Sequence, residues 1–169
     1  ASSNDFAYSY DGITWTAGAT PDGELGNALA VASRADPVPS FASVFPKARW
    51  VAVGEDINTI AYSYDGINWT GVTNSTSIFD AFGYGVAWNG TMWVAVGGLG
   101  TTGTNTIAYS YDGINWTGLG KSIFDAYGNG VAWGENMWVA VGGSVTSNTI
   151  AYSYDGINWT GLGTSIFNS

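Results

Sequence analysis

Four aspartates stand in one recurring setting: Asp11, Asp65, Asp112 and Asp155 each follow Ala-Tyr-Ser-Tyr and precede Gly-Ile, with a tryptophan four residues on (Trp15, Trp69, Trp116, Trp159). A carboxylate so placed has two chemistries open to it. It can act as acid, base or nucleophile across from a second carboxylate, as in glycoside hydrolysis, where the two stand about 5 to 10 Å apart. Or it can accept hydrogen bonds from the N–H groups of its own turn, while the next glycine (Gly12, Gly66, Gly113, Gly156) takes positive φ. The chain has 169 residues with no cysteine and no histidine, which removes disulfides, thiolate nucleophiles, the usual zinc sites and histidine-based triads. Carboxylates, hydroxyls, tyrosines and two arginines (Arg34, Arg49) are left for chemistry.

The turn reading is the stronger. Asp-Gly is a turn signal in its own right, and the tryptophan can anchor the resulting hairpin through its large buried area. Hydrolysis has little to draw on: of three glutamates (Glu24, Glu55, Glu135), Glu55, beside Asp56, and Glu135 fall at loops or turns of different units, where a solvated role is ordinary. Neither metal nor cofactor is expected, because one carboxylate per turn falls short of the several oxygens calcium needs. Tyr10, Tyr64, Tyr111 and Tyr154 directly precede the aspartates. Aromatic side chains repeated on loops can stack on sugar faces, with identical sites adding avidity. Their plainer role is packing between units.

These residues belong to a longer repeat. The string Ala-Tyr-Ser-Tyr-Asp-Gly-Ile-x-Trp-Thr occurs four times, its aspartates 54, 47 and 43 residues apart. Trp-Val-Ala-Val-Gly begins at Trp50, Trp93 and Trp138, and Ser-Ile-Phe at Ser77, Ser122 and Ser165. A unit of this length matches a four-stranded propeller blade. In one unit the pattern predicts strands over Tyr84–Trp88, Met92–Gly97, Thr106–Tyr111 and Ile114–Thr117. Asn89-Gly90 reads as a type I′ hairpin and Asp112-Gly113 as a second turn. Apolar side chains fall on both strand faces, Met92, Val94 and Val96 on one and Trp93 and Ala95 on the other, as stacked sheets require. No stretch sustains the 3.6-residue period of a helix. The expected fold is all-β: a β-propeller-type array of four-stranded blades, about three and a half in this chain.

Residues 1–40 read as half a blade (Phe6–Thr16) plus an irregular linker, in which Ala28–Ser33 could supply one irregular strand before Pro37-Val38-Pro39. Residues 41–169 read as three complete blades, with Pro46-Lys47 and Gly134-Glu135-Asn136 as first turns of the outer two. Propellers normally close with four to eight blades. A fragment of a longer chain, an oligomer that closes a ring, and an atypically small propeller all remain open. A half blade offers unpaired strand edges that a protein partner or a second copy could complete.

Ser-Tyr-Asp-Gly-Ile-Asn-Trp resembles the Asp-box hairpin of sialidase-type (BNR) and related propellers, over Ser9–Trp15, Ser63–Trp69, Ser110–Trp116 and Ser153–Trp159. Here the glycine directly follows the aspartate and the motif is one residue shorter. The wider unit, over about 130 residues, is similar to tandem-repeat proteins of large DNA viruses and phages. The resemblance implies a propeller in which the motif is structural and lies away from any active centre. Sialidase-like enzymes use an arginine cluster and a tyrosine–glutamate pair, and a third arginine is missing here.

Thirteen acidic residues against four basic ones leave a net charge of −9, which argues against nucleic acid, and three of the bases (Arg34, Lys47, Arg49) lie between positions 34 and 49. No apolar run approaches the roughly 20 residues of a membrane helix, so no membrane insertion is expected. Asn-x-Ser/Thr sequons stand at Asn68, Asn74, Asn89, Asn115 and Asn158; those within Asn-Trp-Thr read as by-products of the repeat, and Asn74 is the best acceptor on a secretory route. The expected function is a non-enzymatic structural, assembly or surface-binding module, extracellular or on a virion. A glycan-binding propeller is the alternative, and sialidase-like hydrolysis ranks last.

Overall fold

A computed structural model describes residues 7–8, 14, 16–17, 28–33, 48, 50–98, 103–143 and 146–167. The regular secondary structure of the described residues is almost entirely β, with one short helical turn. β1 (Ala7–Tyr8) pairs with β2 (Thr16–Ala17) within the expected half unit. Three four-stranded antiparallel sheets follow, each with its strands in chain order. The first comprises β3 (Ala28–Ser33), β4 (Trp50–Gly54), β5 (Ile60–Ser63) and β6 (Trp69–Gly71). The second comprises β7 (Gly83–Trp88), β8 (Trp93–Gly97), β9 (Ile107–Ser110) and β10 (Thr117–Gly118). The third comprises β11 (Tyr127–Gly134), β12 (Met137–Gly143), β13 (Ile150–Ser153) and β14 (Thr160–Gly161).

The pattern of small and branched residues on the second strand explains how the sheets stack. In β8, Val94 and Val96 point to one side and pack with Ile107, Phe124, Trp138, Ala140 and Ala151 of the third-sheet side. Trp93 and Ala95 point to the other side and pack with Val51, Val53 and Ile60 of the first sheet. Both faces of β8 are thereby fully buried. The first strands β3, β7 and β11 lie side by side, and they carry a bulge at the same place: at Leu29, between Gly83 and Gly85, and between Gly128 and Gly130. Between β7 and β11 glycine eases the approach, since a Cβ on Gly85 would sit 3.1 Å from the Gly130 Cα, tighter than ordinary contact.

Three details differ from the sequence expectation. The opening strand of the first four-stranded sheet is Ala28–Ser33, upstream of Phe41, with the expected irregularity in the form of the bulge at Leu29; Ala30 and Ala32 pack inward while Leu29 and Val31 face out. Its alternation is masked because all five of its first residues are apolar. Residues 34–47, including Pro37-Val38-Pro39 and Pro46-Lys47, lie outside the described residues. The Asn89-Gly90 hairpin forms, with Trp88 opposite Trp93, but only Gly90 takes positive φ (101°), whereas a type I′ turn needs two such residues. The Asn89 side chain accepts from the Thr91 and Met92 N–H groups at 2.9 and 2.8 Å instead. The matching turn of the third sheet, Glu135-Asn136, does place both residues at positive φ (54° and 138°).

The third difference is one helical turn, α1 (Ser75–Ile78), in the linker after β6. It forms because buried Ser75 closes a local network: its Oγ accepts from the Thr59 N–H at 3.0 Å and its carbonyl from the Thr59 hydroxyl at 2.9 Å. In the second sheet the Gly120 carbonyl accepts from the Thr106 N–H instead, and no helix is needed.

Trp93 is fully buried between sheets, whereas Trp50, at the same place in the first sheet, is 37% exposed. Trp93→Ala is expected to cost about 3–5 kcal/mol, and Trp50→Ala less than half of that. Urea denaturation of both variants measures the difference; equal losses would contradict the stacking described.

Candidate functional site

The repeated feature that gathers polar atoms is the Asp-Gly turn joining the third and fourth strands of each sheet. Ser110, the last residue of β9, starts it. Its hydroxyl donates to Asp112 Oδ1 at 3.0 Å and accepts from the Gly113 N–H at 2.9 Å. Asp112 Oδ1 also accepts from the Ile114 and Asn115 N–H groups at 2.8 and 2.7 Å, and Oδ2 accepts from Asn115 Nδ2 at 2.8 Å. Gly113, at φ 77°, turns its carbonyl toward the Trp116 indole, whose Nε1–H donates at 3.2 Å. Side chain and backbone thus close one ring of interactions within seven residues.

The same network recurs in the neighbouring sheets. Asp65 accepts from Ile67, Asn68 and Ser63, and Trp69 Nε1 donates to the Gly66 carbonyl. Asp155 accepts from Ile157, Asn158 and Ser153, and Trp159 Nε1 donates to the Gly156 carbonyl. Gly66 and Gly156 share the positive φ, at 79° and 75°. Each glycine also lies against the second-strand tryptophan of its own sheet, where a Cβ would come within 3.0–3.2 Å of Trp50, Trp93 or Trp138. Asp11, Gly12, Trp15 and Tyr10 of the first copy lie outside the described residues, as do Glu24, Arg34 and Arg49.

Donors converging on a carboxylate favour its charged form. Hydrogen bonds from the Asn68 backbone, then its side chain and Ile67, hold Asp65 well below the usual carboxylate range. Asn158, through its side chain and then its backbone, does the same for Asp155. Burial pushes Asp112 upward, but its bonds from Asn115, Ile114 and Ser110 together outweigh that and lower it. These carboxylates stay ionised and already engaged, the opposite of what a general acid needs.

The sequence reading missed two partners. Ser63, Ser110 and Ser153 act as both donor and acceptor, and Asn68, Asn115 and Asn158 hold the second carboxylate oxygen. The signal is their recurrence at fixed distances from the aspartate, two residues before it for the serines and three after it for the asparagines.

Tyr64, Tyr111 and Tyr154 are 45%, 54% and 71% exposed, and burial, then Tyr62 and, from the neighbouring sheet, Asp112, raise the Tyr64 pKa above its ordinary value. Each stands edge-on to the tyrosine two residues before it, with ring centroids 5.6–5.8 Å apart for Tyr62–Tyr64, Tyr109–Tyr111 and Tyr152–Tyr154. A cavity of about 230 Å³ lies beside Tyr154, lined by Gly134, Glu135, Asn136 and Met137. Another, of about 190 Å³, lies between the linker Val72–Ile78 and Ile114–Trp116. Neither cavity is lined by two carboxylates. Among the described residues, no group of three or more acidic side chains is placed to hold a metal ion, and no helix is long and apolar enough to cross a membrane. No protein-family model matches the chain, and no curated protein matches it.

Two outcomes test the turn. Carboxylates that bind protons less readily when folded contribute stability that is complete above their unfolded pKa of about 4 and is lost as pH falls below it. The denaturation midpoint is therefore expected to hold from pH 7 to 5 and to drop below pH 4, and replacing Asp65, Asp112 and Asp155 by Asn should flatten that drop. Gly113→Ala combines positive-φ strain with a Cβ 2.8 Å from the Ala48 Cβ, and should cost roughly 2–4 kcal/mol. Gly90→Ala, with open space around it, should cost no more than about 1–2 kcal/mol. Thermal unfolding of the pair reads the difference.

Proposed function

We propose that the three sheets are blades of a propeller-type array and that the chain is a non-enzymatic structural or assembly module, extracellular or on a virion. One observation carries this reading. The exposed large apolar side chains Leu29, Val31 and Trp50 sit on the first four-stranded sheet, and Met137, Val139 and Val141 on the last. Exposed apolar patches of this kind mark contact with partners. The repeat length, the stacking and the likeness of the turns to the Asp-box support the propeller assignment. The engaged, ionised aspartates support a structural role for the turns.

A mass in solution above that of one protomer is the expected result, together with no hydrolysis of fluorogenic sialosides or other glycosides. A chain that stays monomeric at every concentration would overturn the assembly role. Turnover abolished by Glu55→Gln would overturn the non-enzymatic one.

The exposed tyrosines favour a second reading, a glycan-binding propeller. Three solvent-facing rings at equivalent places form a repeated stacking platform. On a glycan array this reading requires a hit that weakens stepwise as Tyr64, Tyr111 and Tyr154 are replaced by Ala. A blank array sinks it.

A further inference from the structure

Among the described residues two asparagines precede a glycine, Asn89 and Asn129, and so do the three turn aspartates, Asp65, Asp112 and Asp155. In each pair the glycine nitrogen can attack the side-chain carbonyl carbon before it and close a five-membered imide. Closure requires a backbone N–H able to lose its proton, a side-chain carbonyl that is an electrophile, and a backbone able to rotate. A neutral amide meets the second condition, and an ionised carboxylate does not.

The fold separates these five pairs. In the Asp-Gly turns the Gly66, Gly113 and Gly156 N–H groups each donate to a serine Oγ at 2.9 Å, and converging donors keep the carboxylates ionised. Asn129 lies inside β11, where Gly130 stands opposite Val141 and the sheet holds the backbone. Asn89 differs on every count. It sits in a turn, and Gly90 after it is exposed, with nothing within 4 Å of where a Cβ would stand. Among the described residues no acceptor meets the Gly90 N–H, and glycine leaves the backbone there permissive. Asn89 Oδ1 accepts three bonds, from the Thr91 N–H at 2.9 Å, the Thr91 hydroxyl at 3.0 Å and the Met92 N–H at 2.8 Å. Donors so placed polarise the amide carbon and stabilise the negative charge that develops on that oxygen during attack.

We propose that Asn89 is a site of spontaneous self-modification, passing through an imide with Gly90 to aspartate and isoaspartate, while the fold holds the other four pairs unreactive. The Gly90 nitrogen loses its proton to solvent and bonds to Asn89 Cγ. The Cγ–Nδ2 bond breaks, and ammonia leaves with a proton taken from water. A water molecule then opens the ring at one of its two carbonyl carbons. Opening at Cγ restores the ordinary peptide bond and leaves an aspartate; opening at the main-chain carbon leaves the chain running through Cγ, as isoaspartate. Either product adds one negative charge to the net −9. Their effects on the hairpin are opposite. The aspartate keeps an oxygen for the Thr91 and Met92 N–H groups, now charged, in the arrangement that Asp112 already has with Ile114 and Asn115. Isoaspartate draws the capping carbonyl into the main chain and lengthens the connection where Trp88 and Trp93 stand opposite each other.

The test incubates the 169-residue chain at mildly alkaline pH, folded and in urea, and follows it by peptide mass mapping and labelling with an isoaspartate-specific methyltransferase. The folded chain should convert at Asn89, faster as pH rises, with Asn129 intact and no isoaspartate at Asp65, Asp112 or Asp155. In urea Asn129 should convert as well, and the preference for Asn89 should vanish. Gly90→Ala should slow conversion at Asn89 several-fold with unchanged circular dichroism. Asn89→Asp reproduces one product and should melt no lower than the unaltered chain, whereas the isoaspartate-containing fraction should melt lower. Survival of Asn89 in the folded chain under conditions that convert it in urea overturns the site. Equal conversion of Asn89 and Asn129 in the folded chain, or isoaspartate at the Asp-Gly turns, overturns the protection by the fold.

Discussion

Everything in this structure follows from strands that are apolar on both sides. Trp-Val-Ala-Val-Gly places two valines on one face and tryptophan with alanine on the other, and neither face can stay in water without cost. Each such strand needs a neighbour on both sides, and a chain meets that need most simply by repeating itself. The tryptophan fills the wide gap between sheets, and the alanines and the glycines of the first strands allow the narrow one where backbones nearly touch. Branched residues and glycine thereby do opposite jobs in the same short strands.

The polar side of the molecule is arranged as sparingly. With few charged residues in the chain, the aspartates of the turns are not spread as a solvent-facing field. They are consumed locally, each by its own serine, asparagine and backbone N–H groups. That explains how a hairpin tip can sit at the edge of an apolar stack with its carboxylate satisfied by its own turn. The tyrosines beside the aspartates stand differently: each is exposed on one side and edge-on to the tyrosine two residues before it on the other.

What was legible in the sequence was whatever recurred. The second, third and fourth strands of each sheet come from repeated strings and fall within a residue or three of their expected places. β3 was harder to place because Ala28–Ser33 belongs to none of those strings, and a run of alanine, leucine and valine hides its own period. Turn type at Asn89 was misread because an asparagine side chain can satisfy the turn itself and relieve its backbone of the left-handed conformation. Exposure of Tyr64, Tyr111 and Tyr154 was not readable at all: alternation says which face a residue is on, and only the neighbouring sheet says whether that face is covered.

The turns also bear on how the chain reaches this state. Their hydrogen bonds link residues two or three apart, so they can close in microseconds, before any distant strand has arrived. Several near-identical points are thus available to start folding. Near-identity carries a hazard at the next step, since Ile60–Ser63, Ile107–Ser110 and Ile150–Ser153 are the same four residues and each could pair with the second strand of another sheet. The first strand of the first sheet, Ala-Leu-Ala-Val-Ala-Ser, stands apart, but Gly83–Trp88 and Gly128–Trp133 share Gly-x-Gly-Val-Ala-Trp and differ only at Tyr84 and Asn129, so the second and third sheets are distinguished mainly by the unlike residues of their turns, Gly90-Thr91 against Glu135-Asn136.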